Sequence, residues 1–98
     1  MEIRIQSIHF DASEKLQQFI DKKVSKLDKY FDNISSAEVS LKVVKPETSE
    51  NKDVSIKVTV PNNEFFVNKV KDTFEEGVDD CVEALIKQLI KYKEKVRS

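Results

Sequence analysis

Lys22, Lys26 and Lys29 recur at the three- and four-residue steps of a helix, and Lys15 falls on the same arc. At ~100° per residue these side chains point one way, with Lys23 at the edge of the arc, while Asp21 and Asp28 project to the other flank. A second row lies near the C-terminus, where Lys87, Lys91 and Lys95 step by four, with Lys93 and Arg97 on the adjacent flank. Rows of ammonium groups attract phosphates and release their counterions. A merely solvated helix face more often mixes signs to gain i,i+4 pairs. From pattern alone, phosphate contact and a solvated charged face both remain open.

Other chemistry has little support. His9 is the single histidine and has no local Ser or Cys partner, so it reads as an ordinary strand-end residue. Cys81 falls on an apolar stripe and reads as a packing thiol, because buried thiols stay protonated. Glu75-Glu76 and Asp79-Asp80 lack the Gly turn and alternating oxygens of a calcium loop, so they read as a solvated acidic face. The lone Gly77 cannot make a phosphate-binding loop, which needs several glycines ahead of a helix. No metal, cofactor or catalytic residue is expected, and the protein reads as a non-enzyme.

Composition sets the frame. With 98 residues the chain has room for one core and one domain, spanning 1–98. The net charge is -1, so charge as a whole does not point to nucleic acid and only the local rows do. One cysteine excludes an internal disulfide and suits a reducing interior. The N-terminus carries Glu2 and Arg4 without an apolar region, unlike a signal peptide. No apolar run approaches the ~20 residues of a membrane span. A cytoplasmic protein with no membrane partner is expected.

The elements that position the lysines follow from periodicity. Residues 2–8 alternate, with Ile3 and Ile5 on one side and Arg4 and Gln6 on the other, predicting a first strand. Asp11 and Glu14 have the spacing of a capping box, with Asp11 as the N-cap. A helix should run from there to about Phe31 on a stripe of Leu16, Ile20, Val24, Leu27 and Phe31. Ala37, Val39, Leu41 and Val43 predict a second strand, and Val54, Ile56, Val58 and Val60 a third. The polar turn at 45–52, with Pro46, should join these two as an antiparallel hairpin. Residues 64–70 predict a fourth, shorter strand. Residues 72–97 predict a long helix on the stripe of Phe74, Val78, Cys81, Val82, Leu85, Leu89, Tyr92 and Val96. Acids fill its first half and bases its second, opposed there only by Glu94, as suits the helix macrodipole. Ile86 and Ile90 lie off the stripe and should pack against the first helix, with an exposed partner patch as the alternative.

The order is β-α-β-β-β-α. The expected fold is α+β in two layers, a four-stranded sheet with both helices packed on one face. That arrangement would bring the two lysine rows near each other. The polar strand residues Arg4, Gln6, Glu38, Ser40, Lys42, Ser55, Lys57 and Thr59 would form the open face.

Short motifs add a resemblance. Lys26-Leu27-Asp28-Lys29-Tyr30-Phe31 is similar to a Lys-Leu-x-Lys-Tyr-Phe segment, and Leu41-Lys42-Val43 fits the second strand of the same pattern. Asp72-Thr73-Phe74, Val78-Asp79, Lys87-Gln88-Leu89 and Lys91-Tyr92-Lys93 match in order and spacing. Together they resemble the bacterial ribosome hibernation-promoting factors and ribosome-associated translation inhibitors, over nearly the whole chain. Ala84 departs from the pattern, since many relatives carry a basic residue there.

The resemblance implies a fold similar to double-stranded-RNA-binding domains. It implies a single ribosome-binding domain that occupies the messenger and transfer-RNA channel of the small subunit, contacts ribosomal RNA, and inhibits translation in stationary phase or stress. Carried over residue by residue, the RNA-binding positions are Lys22, Lys23, Lys26 and Lys29 on the first helix and Lys87, Lys91, Lys93 and Lys95 on the last. The expected partners are the small ribosomal subunit and its RNA rather than DNA, with a second factor where ribosomes dimerise. The chain ends just past the last helix and so reads as the short form. The alternative from another class is a small protein–protein adaptor that uses the open sheet face.

Overall fold

A computed structural model describes residues 1–44 and 50–97. Strand β1 (Glu2–Ile8) leads into helix α1 (Glu14–Ser25) and a 3-10 turn, η1 (Lys26–Lys29). Strands β2 (Ser36–Val43), β3 (Lys52–Val60) and β4 (Asn63–Lys71) follow, and helix α2 (Phe74–Arg97) closes the fold. The sheet order is β1-β2-β3-β4. β1 runs parallel to β2, as the α1 crossover requires, and the other pairs are antiparallel. The expected two-layer β-α-β-β-β-α architecture is present. Of the turn expected at 45–52, residues 45–49 lie outside the described residues. The Val44 N–H donates to the Asn51 carbonyl at 2.8 Å beside that stretch.

Alternation makes the two faces. Ile5, Val39, Ile56 and Val67 stand opposite one another across all four strands. Val39 and Ile56 are buried beneath Ile20, Val24 and Leu27 of the first helical segment and Val78, Cys81, Val82, Leu85 and Leu89 of α2. Burying each such side chain contributes ~1.5–3 kcal/mol, so this face fixes the register. The next row belongs to the open face: Arg4, Glu38, Lys57 and Phe66. Glu38 lies 3.8 Å from Arg4 and 3.7 Å from Lys57, and Lys57 reaches Glu64 at 3.2 Å. These pairs are exposed and contribute little each, but they leave the open face close to neutral.

Several boundaries differ from expectation. Ser13, not Asp11, caps α1: its Oγ accepts from the Leu16 N–H at 3.1 Å, and Glu14 becomes the first helical residue. Phe10 lies flat against Phe74, with ring centroids 5.2 Å apart, so the chain runs on for three residues before it turns. The first helix also does not stay α-helical to Phe31. The Ser25 Oγ donates back to the Asp21 carbonyl at 2.6 Å, a bond that bends helices, and η1 begins at the next residue. Asn33, at φ 68°, then reverses the chain. β4 has nine residues, as many as β3, rather than being shorter.

α2 begins at Phe74, with the Thr73 Oγ1 accepting from the Glu76 N–H at 3.1 Å. Its 24 residues span ~36 Å, whereas a nine-residue strand spans ~30 Å. The last turns therefore overhang the sheet. Val96 is 63% exposed instead of completing the stripe. Ile86 is partly buried against the core, whereas Ile90 is 40% exposed.

Gly77 seats the other end of α2. A Cβ added there would stand 2.6 Å from the Val54 Cγ2 and 3.1 Å from its Cβ, so only glycine lets the helix approach β3 so closely. Gly77→Ala should therefore lower the unfolding free energy in urea by about 1–2 kcal/mol, even though alanine gains helix propensity. Val54→Ala in the same background should recover part of the loss. A Gly77→Ala protein as stable as the parent would contradict this contact.

Candidate nucleic-acid interface

The basic residues divide by the elements that carry them. On α1 and η1, Lys22, Lys26 and Lys29 are exposed. Lys26 and Lys29 sit three apart in a 3-10 turn, where side chains at i and i+3 eclipse, so the departure from α-helix aligns them. Beneath them Leu27 is fully buried and Phe31 half-buried, which anchors η1 to the core. On α2, Lys87, Lys91 and Lys95 are exposed, and Lys93 is half-buried. Lys22, Lys26, Lys29, Lys87, Lys91 and Lys93 form no ion pair among the described residues.

Lys23 differs from the rest. Its Nζ is 3.0 Å from the Asp79 Oδ1, across the junction of α1 and α2, and 5.6 Å from the centre of the Phe19 ring. Asp79 thus neutralises one of the eight expected RNA-binding lysines. On the β4 side, Asp80 pairs with Lys71 at 3.0 Å, and its hydrogen bond and charge raise the Lys71 pKa above the ordinary value. Asp79 and Asp80 therefore join elements, instead of forming the purely solvated acidic face expected from sequence.

Aromatic contacts decide how the two lysine groups relate. Phe31 and Tyr92 lie 5.7 Å apart, and Tyr92 meets Phe65 of β4 edge-on at 5.3 Å. The first contact brings the η1 lysines to the end of the molecule that carries Lys91 and Lys93. Lys91 and Lys95, however, line a shallow groove with Phe65, Gln88 and Tyr92 on the β4 side of α2. Level with Lys23, the side of α2 that meets α1 carries Asp79. The Phe31–Tyr92 contact thus brings the two rows to one end of the molecule, with Lys91 and Lys95 opening toward β4. The rows share one basic end, and the acids of α2 other than Glu94 occupy the other. On a chain of net charge -1 this separation orients the protein in the field of a polyanion.

The remaining candidates take structural roles. His9 is exposed just beyond β1, at φ 64°. Cys81 is buried, its thiol directed at the carbonyls of Val54 and Val67, 3.7 and 3.9 Å away. Burial pushes its pKa up from 9.0 to about 12, which keeps the thiol protonated and unreactive at neutral pH. No group of three or more metal-ligating side chains occurs among the described residues. Among the described residues no helix is long and apolar enough to cross a membrane. Sequence reasoning did not find the groove of Phe65, Gln88 and Tyr92. Its signal was an aromatic between two lysines, Lys91-Tyr92-Lys93, which the apolar periodicity assigned to the core.

Fold and charge together define a small α+β module with a basic end built from two helical segments. The chain belongs to the Sigma 54 modulation protein / S30EA ribosomal protein family, matching it over residues 3–97. It is 28% identical over 97 residues to the ribosome hibernation promoting factor of Escherichia coli strain K12, covering 99% of this chain and 98% of that one. The protein of that name from Acidithiobacillus ferridurans is 32% identical over 79 residues, 81% of this chain and 100% of its own. A ribosomal subunit interface protein from Coxiella burnetii superposes with a TM-score of 0.85 at 26% identity, over 96% of this chain and 99% of that one. The N-terminal domain of Thermus thermophilus Protein Y shares the fold, with a TM-score of 0.82 at 20% identity, over 94% and 99% of the two chains.

If Asp79 holds Lys23, then Asp79→Asn should cost at most about 1 kcal/mol of stability in chemical denaturation, since both groups are partly exposed. It should also delay elution from immobilised heparin more than Glu83→Gln does, a substitution with the same change in charge. Equal elution of the two variants would show that Asp79 does not mask Lys23.

Proposed function

We propose that this chain is a ribosome-binding hibernation factor that inhibits translation without catalysing a reaction. In this reading it works in the cytoplasm as a single domain over residues 1–98. It occupies the messenger and transfer-RNA channel of the small subunit in stationary phase or stress. Blockade is steric. The lysines of η1 and of the C-terminal half of α2 hold ribosomal RNA by its phosphates, which positions the protein without reading sequence. The eight lysines Lys22, Lys23, Lys26, Lys29, Lys87, Lys91, Lys93 and Lys95 form the proposed contact surface. Lys23 contributes least, because Asp79 already faces it.

The observation that carries this reading is the family match over residues 3–97, which spans both lysine-bearing helical segments. Relatives named ribosome hibernation promoting factor match over nearly their full length. The exposed η1 and α2 lysines supply the chemistry such a role needs. A rival reading, a protein adaptor on the open sheet face, draws on Phe66 and Val70, which are 63% and 38% exposed on that face of β4. It predicts salt-insensitive binding that tolerates reversal of the lysines.

Changing Lys26, Lys87 and Lys91 together to Glu separates the two readings. The triple variant should lose roughly 100-fold or more in ribosome affinity in pelleting assays, because phosphate contacts dominate such binding. Its circular dichroism and thermal unfolding should match the parent, as all three side chains are exposed. Undiminished pelleting by a folded triple variant would remove this surface from the interface.

A further inference from the structure

Lys91 and Lys95 do not stand on an open charged face alone. With Phe65, Gln88 and Tyr92 they line a shallow, open groove of about 250 Å³, and none of the five lining residues is acidic. The volume falls below the roughly 300–1,000 Å³ of a drug-sized ligand site, leaving room for about one planar ring system. Two of the walls are aromatic. Tyr92 is held edge-on to Phe65 at 5.3 Å and against Phe31 at 5.7 Å, so its ring is fixed before anything binds. Phe65 and Tyr92 are only half-buried, and covering them would release water from apolar surface. Gln88 adds an amide with both donor and acceptor at the same place.

Phosphate contact alone needs lysines and no aromatic floor. We infer that the groove seats one unpaired nucleotide of a single-stranded RNA, with the base against Phe65 and Tyr92 and the adjoining phosphates at Lys91 and Lys95. Lys87, one turn earlier on the same line of α2, continues the positive track for the strand beyond that nucleotide. A base inside a duplex cannot reach the groove, because its faces are stacked on its neighbours. The inference rests on the ribosome-binding reading and adds a seat for a base to a surface otherwise assigned to backbone.

The test compares binding of a short fluorescein-labelled oligouridine with that of an abasic ribose-phosphate oligomer of equal length, by fluorescence anisotropy at fixed low salt. The full chain should bind the base-bearing strand about tenfold or more tighter, the range expected of base–aromatic stacking. Phe65→Leu keeps apolar packing but removes the ring. It should erase most of that difference, and it should lower the thermal midpoint only slightly, as the edge-on contact with Tyr92 is lost while the fold is kept. Equal affinity for the two oligomers in the parent protein would overturn the inference, as would displacement of oligouridine by oligoglutamate of the same charge as readily as by unlabelled oligouridine. Ribosome pelleting of the same preparation tells the two failures apart. Pelleting without base preference sinks the nucleotide seat alone, and loss of both sinks the ribosome reading with it.

Discussion

The α2 backbone comes down onto Val54 at Gly77, and the placement of the charged surface follows from that contact. One turn later Cys81 fills the space between the Val54 and Val67 carbonyls, so the first half of the helix is locked over β3 and β4. A helix fixed at one end and longer than the strands beneath it must leave its other end projecting. The apolar stripe ends at Tyr92, which rests on Phe65 and Phe31, and Glu94, Lys95 and Val96 beyond it are exposed. The bases of α2 lie along this second half. Packing at one end of the helix thus decides where positive charge is offered at the other.

Charge follows a similar division. The acids of α2 lie where the helix is closely packed, and two of them, Asp79 and Asp80, tie it to Lys23 and Lys71 on either side. The open sheet face cancels its own charges through Arg4, Glu38, Lys57 and Glu64. Among the described residues Lys26 and Lys29 of η1 and Lys87, Lys91 and Lys93 of α2 form no ion pair, and bases outnumber Asp28 and Glu94 at that end. A protein of net charge -1 can in this way present a polyanion with one attractive end.

Much of the fold was legible because alternation and helical periodicity are local signals. Ile3, Ile5, Val39, Leu41, Ile56 and Val58 marked the strands, and Phe74 through Leu89 marked the buried side of α2. What escaped depends on contacts between residues far apart in sequence. Asp11 and Glu14 had the spacing of a cap, but Phe10 stacks on Phe74 and the cap falls at Ser13. α1 gives way to the 3-10 turn η1 right after Ser25, whose side-chain bond to the Asp21 carbonyl no periodicity reveals. Gly77 was read only as too few glycines for a loop, while its role lies in a neighbour from β3. The candidate lysines were readable one helix at a time. Pairing Lys23 with Asp79, and setting Lys91 and Lys95 beside Phe65, required the tertiary structure.

The measurement that bears most directly on the central claim is sedimentation of the purified protein with ribosomes through sucrose gradients over a series of salt concentrations. The account predicts co-migration with small subunits and whole ribosomes at low salt. Binding should fall as salt rises, with a log–log slope of about -4 to -5 if Lys22, Lys26, Lys29, Lys87, Lys91 and Lys95 each neutralise one phosphate. Absence from every ribosomal fraction at low salt, or association that does not change with salt, would contradict it.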